Sequence, residues 1–144
     1  MTHVTGLKCT ICGAVYAQGD VEYVCPQDGG NLDVQYDYDL IRHDITRNGL
    51  SDEPGMWRYR PLMPVEHETF APPILVGNTP LYYAERLAAN LQMDRVWIKD
   101  DGRNPTASLK DRASAIVVAL GKAEGRPIIT TASTGNAAAA LSGV

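Results

Sequence analysis

Hydrophobic and polar positions divide the chain into three stretches of different patterning. In residues 1–36, short β-rich pieces at 14–16, 22–24 and 32–36 flank two tight turns. The turns are Cys9-Thr10-Ile11-Cys12-Gly13 and Cys25-Pro26-Gln27-Asp28-Gly29-Gly30. This predicts a small, separate β-rich module. Residues 37–78 sustain no period and carry Pro54, Pro61, Pro64, Pro72 and Pro73, which reads as a connecting arm with Met56-Trp57-Arg58-Tyr59-Arg60 as its anchor. From 79 to 144 helical and extended patterns alternate. Residues 83–91 predict a helix and 95–99 a short strand; 108–124 predict a helix ended by Gly125 and Pro127. Residues 128–131 are β-branched throughout and predict a buried strand, and a second helix starts at Asn136. Strands and helices alternating at these lengths predict βαβ units and a parallel sheet.

Composition narrows the function classes. The chain has 144 residues, 44% hydrophobic and 21% charged, which suits a folded domain rather than a disordered tail. A formal net charge of −4 gives no electrostatic case for nucleic acid or an anionic membrane surface. The best apolar run, residues 113–120, is far short of the roughly 20 residues that span a bilayer. No basic region followed by an apolar run marks the N-terminus as a signal peptide, and three cysteines are too few for a secreted disulfide scaffold. A reducing cytoplasm is the expected compartment.

Two loops carry candidate chemistry. In Arg103-Asn104-Pro105-Thr106-Ala107-Ser108-Leu109-Lys110-Asp111-Arg112, Ser108 followed by Asp111 predicts a capping box ahead of the 113–120 run. Lys110 then lies in the first helical turn, where free N–H groups disfavour a cation. Partial burial there would lower its pKa and expose the free amine that carbonyl chemistry needs. The plainer alternative is a solvated lysine beside Asp111. The second loop, Thr131-Ala132-Ser133-Thr134-Gly135-Asn136, opens a helix of small residues and suits a carboxylate or phosphate. Its plainer alternative is N-capping by Ser, Thr or Asn. Both loops at the carboxyl ends of consecutive parallel strands would face one crevice.

The cysteine module has its own spacing. Cys9-x2-Cys12, twelve residues, then Cys25-x2-Asp28 matches a zinc ribbon with Asp28 where a fourth Cys is usual. Zinc accepts a carboxylate oxygen, so Cys9, Cys12, Cys25 and Asp28 form a candidate site, with His3 as a substitute ligand. The alternative is a ribbon that has lost its metal and is held by packing. Asp100 and Asp101 resemble a carboxylate pair but read as a polar turn at a strand end, and His43 and His67 read as surface residues.

These motifs carry a family resemblance. Residues 104–112 resemble the PTGSFKDR signature of fold-type II pyridoxal-phosphate enzymes. Residues 132–136 resemble their substrate-carboxylate loop, and Gly77-Asn78-Thr79-Pro80-Leu81 their GNTPL motif. A cysteine module followed by Trp57-Arg58-Tyr59-Arg60 is most similar to the threonine synthases among them. The resemblance implies a three-layer α/β fold with a parallel sheet, truncated here, behind a zinc-ribbon-like module. It implies that Lys110 is the Schiff-base lysine of pyridoxal 5'-phosphate and shuttles protons, and that Asn136 contacts the pyridoxal hydroxyl. Ser133 and Thr134, with backbone N–H groups, would hold the carboxylate of an amino-acid phosphate, O-phosphohomoserine, which water converts to threonine and phosphate. Leu109 replaces the usual Phe and Ala107 the usual Gly, both read as mild packing changes; Ala137 replaces a frequent Thr. Cysteine or cysteate synthase and threonine dehydratase are rival family members, and a zinc-ribbon interaction module with a degenerate attached domain is a rival of another class. The family's glycine-rich phosphate loop and the partner of the pyridine nitrogen lie beyond residue 144. The chain is therefore expected to be a fragment that is inactive alone, marginal in stability, and prone to homo-oligomerise over an open sheet.

Overall fold

The computed structural model describes residues 3–65 and 71–144; His67 lies outside the described residues. The chain divides into two compact units, Met1–Ser51 with Tyr59–Glu68, and Asp52–Arg58 with Thr69–Val144.

The first unit is built on an antiparallel sheet. Strand β1 (Val4–Cys9) lies between β2 (Val15–Tyr16) and β3 (Leu32–Tyr36). The register pairs Leu7 with both Tyr16 and Val34, and a bulge falls between Val4 and Gly6. A Cβ on Gly6 would stand 2.6 Å from the Tyr16 carbonyl oxygen, so only glycine fits. Residues 22–24, expected to be β-rich, contribute one isolated bridge, Val24 to Asn31, because the Cys25 turn closes immediately. Helix α1 (Tyr38–Asp44) is capped by Asp37, whose carboxylate accepts from the Leu40 N–H at 2.9 Å. Val4, Cys9, Cys25, Ile41 and Val65 are buried.

The 3-10 turns over Gly55–Leu62 begin with Met56 and Trp57, both buried and both in the second unit. Here two glycines meet. The Met56 N–H donates to the Val76 carbonyl at 2.8 Å. Added Cβ atoms would come within 2.1 Å of the Val76 carbonyl oxygen at Gly55 and 2.7 Å of the Met56 nitrogen at Gly77. Both have positive φ, +65° and +88°. Next come β4 (Leu81–Tyr83), α2 (Glu85–Asn90) and β5 (Trp97–Lys99), then a 3-10 turn at Asp101–Arg103. Helix α3 (Lys110–Ala123) follows, and α4 (Asn136–Gly143) completes the unit. Gly125, at φ +67°, ends α3: the Arg126 N–H returns to the Gly121 carbonyl at 2.8 Å, the six-to-one closure of a glycine C-cap.

The parallel sheet expected from the sequence is absent among the described residues. Strands β4 and β5 pair antiparallel, Leu81 with Lys99 and Tyr83 with Trp97. Residues 128–131 form no strand, and Ile128 is 76% exposed. Backbone N–H and C=O groups need partners, and no neighbouring strand supplies them, so the β-branched run remains irregular.

Candidate active site and metal centre

The loop before α3 is fixed by side chains that hydrogen-bond backbone. Asn104, almost fully buried, accepts the Gly77 N–H at 3.0 Å and donates to the Asp101 carbonyl at 2.9 Å. Asp111, fully buried, accepts from the Thr106 N–H at 2.8 Å and from the Thr106 hydroxyl. The Ser108 hydroxyl accepts the Lys110 N–H at 3.1 Å. This is not the expected capping box: Asp111 reaches back to Thr106 rather than Ser108. Ala107, between Thr106 and Ser108, adopts the left-handed region at φ +57°. Its replacement of a family glycine is therefore a backbone matter, not a mild packing change.

Asp101 is more than part of a polar turn. Its carboxylate takes both Nε and a terminal nitrogen of Arg112 at 2.8 Å each, and the Thr79 hydroxyl at 2.8 Å. The Arg112 guanidinium beside it, helped by Thr79, holds the Asp101 carboxyl down to about 2. Asp100 does serve the turn, accepting the Gly102 N–H at 3.1 Å. The GNTPL segment and the lysine loop are thus one hydrogen-bonded frame. The sequence signal for it was the Asp111-Arg112 pair after the lysine, whose roles only the geometry reveals.

Lys110 opens α3 on the wall of a cavity of about 200 Å³, lined also by Ala113, Ser114, Val117, Thr130, Thr131, Ala137 and Leu141. The lysine is exposed, not partly buried as expected. Helix α4 docks tightly on the loop: a Cβ on Gly143 would stand 2.5 Å from the Thr106 methyl carbon. The second loop enters this cavity through Thr130, Thr131 and Ala137, whereas Ser133, Thr134 and Asn136 are exposed and do not line it. The plain capping alternative does not hold. Gly135 is the N-cap, no side chain caps α4, and the Ser133 hydroxyl accepts the Gly135 N–H at 3.2 Å. A primary amine over apolar walls, with first-turn N–H groups of α4 uncapped by side chains, fits a planar aldehyde cofactor.

In the first unit the metal candidates converge. One ligand atom from each of Cys9, Cys12, Cys25 and Asp28 lies within 4.8 Å of all the others. The Cys12 and Cys25 sulfurs are 3.7 Å apart, close to the roughly 3.8 Å edge of a tetrahedron with 2.3 Å zinc–sulfur bonds. Cys9 and Cys25 are buried, and no cysteine is in a disulfide. Gly30 is the floor of this cradle, since a Cβ there would come within 2.7 Å of the Cys9 sulfur and 2.9 Å of an Asp28 oxygen. Outer contacts are also in place: the Ile11 N–H to Cys9 at 3.3 Å, the Tyr16 hydroxyl to Cys25 at 3.1 Å, and the Gly30 N–H to Asp28 at 2.8 Å. The Gly30 N–H and the Cys12 thiol hold the Asp28 carboxyl down to about 2. Against the lowering effect of the Ala14 backbone, Asp28 and the neighbouring sulfurs push the Cys12 thiol up to about 12. Clustered donors that resist sharing negative charge are what a divalent cation relieves. The Cys3Asp group can bind a metal. His3 is not part of it; its ring pairs with Asp44 at 2.6 Å. His43 is exposed.

Comparison with known proteins finds relatives over most of the chain. The chain is 42% identical over 136 residues to a threonine synthase of Methanosarcina acetivorans, covering 94% of this chain and 33% of that protein. It is 35% identical over 135 residues to a threonine synthase of Methanocaldococcus jannaschii, covering 93% and 33%. A threonine synthase of Synechocystis is 43% identical over 83 residues, 57% of this chain and 22% of that protein. The chain spans about a third of the length of the first two relatives. No solved structure matches it significantly. The family described as "Pyridoxal-phosphate dependent enzyme" matches residues 73–144, the half that holds the GNTPL segment, the lysine loop and the cavity. By that match, and by the frame that sets Lys110 at the head of α3, the chain belongs to the pyridoxal-phosphate-dependent enzyme family.

Proposed function

We propose that this chain supplies the lysine-bearing part of a threonine synthase, converting O-phosphohomoserine and water to threonine and phosphate. The observation that carries the reading is Lys110, first residue of α3, on the wall of a cavity shared with α4. Pyridoxal 5'-phosphate, when bound, supplies the aldehyde that Lys110 captures and the electron sink the reaction needs. Lys110 Nζ would hold the cofactor and would give and take protons on the substrate. By the motif match, Ser133 and Thr134 with the N–H groups at the start of α4 take the substrate carboxylate, and Asn136 meets the cofactor hydroxyl. Leaving the α4 N-terminus without a side-chain cap suits that role.

In the first unit, Cys9, Cys12, Cys25 and Asp28 hold one zinc ion as a structural clamp on the two turns. Three free thiols fit a reducing cytoplasm. Among the described residues no helix is long and apolar enough to cross a membrane.

The test is a chimaera in which these residues replace the matching third of the Methanosarcina acetivorans threonine synthase. It should release phosphate and threonine from O-phosphohomoserine, and Lys110→Ala should reduce turnover by several orders of magnitude. A folded, cofactor-loaded chimaera without turnover would overturn the substrate assignment. Borohydride labelling of Lys99 or Lys122 in place of Lys110 would overturn the lysine.

A further inference from the structure

The three thiols of the metal cluster are not equivalent. Cys9 and Cys25 are buried, whereas Cys12 is at the surface. Ile11 beside it is 72% exposed, and open space surrounds the place a Cβ on Gly13 would take, so the Cys12 turn lies open to solvent. The Cys9 sulfur is already engaged. Its thiol faces both Asp28 carboxylate oxygens, at 3.3 and 3.6 Å, and it accepts the Ile11 N–H at 3.3 Å. Cys12 and Cys25 face each other instead, sulfur against sulfur at 3.7 Å, one from each turn. With Asp28 standing where a fourth thiol is usual, three sulfurs can make only one disulfide, and one thiol is left over. The geometry says which.

We propose that Cys12 and Cys25 are an oxidisable pair: a peroxide links them in one disulfide, Cys9 stays a thiol, and the cluster gives up its cation. The release rests on the reading of the four donors as a zinc site; the choice of pair rests on the sulfur geometry alone. A thiol that holds a cation does so as a thiolate, the form that attacks peroxide, and only Cys12 offers one at the surface. Its sulfur takes one peroxide oxygen, the O–O bond breaks, and the other oxygen leaves as water with a solvent proton. Cys12 then carries a sulfenic acid. The Cys25 sulfur attacks the Cys12 sulfur, the S–S bond forms, and the S–O bond breaks as hydroxide leaves and takes a second solvent proton. Two thiolates, one hydrogen peroxide and two protons thus give one disulfide and two waters. The sulfurs close from 3.7 Å to a bond of about 2.05 Å. Sulfurs bonded to each other are poor ligands, so two of four donors are lost. The disulfide still joins the two turns, and thiols of a reducing compartment reverse it.

The test uses the 144-residue chain, its zinc content measured first. Hydrogen peroxide is added with 4-(2-pyridylazo)resorcinol, whose absorbance reports free zinc. Remaining thiols are then alkylated, and peptide mass spectrometry without reduction locates the bond. Cys12 should be found linked to Cys25 within one chain, Cys9 alkylated, and one equivalent of zinc released per disulfide. Dithiothreitol should restore all three thiols and zinc uptake. In Cys25→Ser the reaction should stop at a Cys12 sulfenic acid, which dimedone traps. A disulfide that includes Cys9, a disulfide between chains, or Cys12 carried on to sulfinic acid without a bond to Cys25 overturns the proposal. So does a linked pair in protein that keeps its zinc. A chain that neither contains zinc nor takes it up removes the metal reading, and the peptide map then decides the pair by itself.

Discussion

Replacing Asp101 with Asn tests whether the frame around the lysine loop is an ionic clamp. The carboxylate receives two nitrogens of Arg112 at 2.8 Å and the Thr79 hydroxyl at 2.8 Å, with the two charged side chains 25% and 33% exposed. Asn keeps the shape and one acceptor but loses the charge and half of the fork. The depression of the Asp101 carboxyl from its ordinary 3.8 to about 2, caused first by Arg112, bounds the clamp at about 2.4 kcal/mol. Solvent access to both partners reduces this to about 1–2 kcal/mol. The sign follows from the depressed folded-state value. The stabilisation is fully present above about pH 4, where Asp101 is ionised even in the unfolded chain, and is lost as pH falls through about 2. Urea titrations followed by tryptophan fluorescence read the second unit, since Trp57 and Trp97 are the chain's two tryptophans and both belong to it. Asp101→Asn should cost about 1–2 kcal/mol at pH 7, and about half of that difference should be gone at pH 3. A difference that is the same at both pH values, or a variant as stable as wild type at pH 7, would refute the clamp.

Ala107→Gly should stabilise the second unit by about 0.5–1 kcal/mol in the same titrations, because left-handed strain of about 1–2 kcal/mol outweighs the added freedom of the unfolded chain; a loss of stability would contradict the backbone reading. Protein purified without added metal should contain close to one zinc per chain, and chelation should lower the melting temperature of the first unit. Metal-free protein whose melting is untouched by chelator would favour a ribbon held by packing. Exposed Leu81, Tyr82, Tyr83, Trp97 and Ile98 on β4 and β5 should drive concentration-dependent association in sedimentation experiments, and a monomer at every concentration would count against it.

What could be read from the sequence was local. Gly125 and Pro127 marked the end of α3, Asn136 marked the start of α4, and the cysteine spacing located four donors that do converge. Each of those signals is complete within a few residues. The failures were of longer range. A β-branched run at 128–131 specifies extended backbone but not a partner strand, so the predicted strand and its parallel sheet did not follow. Ser108 and Asp111 have capping-box spacing, yet with a positive φ at Ala107 the Asp111 carboxylate accepts from Thr106 instead. Asp101 looked like half of a turn because its partner Arg112 is eleven residues away, across a loop whose shape no local pattern encodes.

The meeting of Gly55 and Gly77 bears on how this region tolerates change. Proline-rich stretches without periodicity are where insertions, tags and permuted termini are usually placed. Here backbone lies directly on backbone, Met56 N–H on the Val76 carbonyl, with no room for a Cβ on either glycine. The same Gly77 hands its N–H to Asn104 at the base of the lysine loop. A saturation scan should therefore find 55–57 and 76–77 as intolerant as the cofactor loop itself, and an engineer seeking a splice site should pass over them despite their linker-like composition.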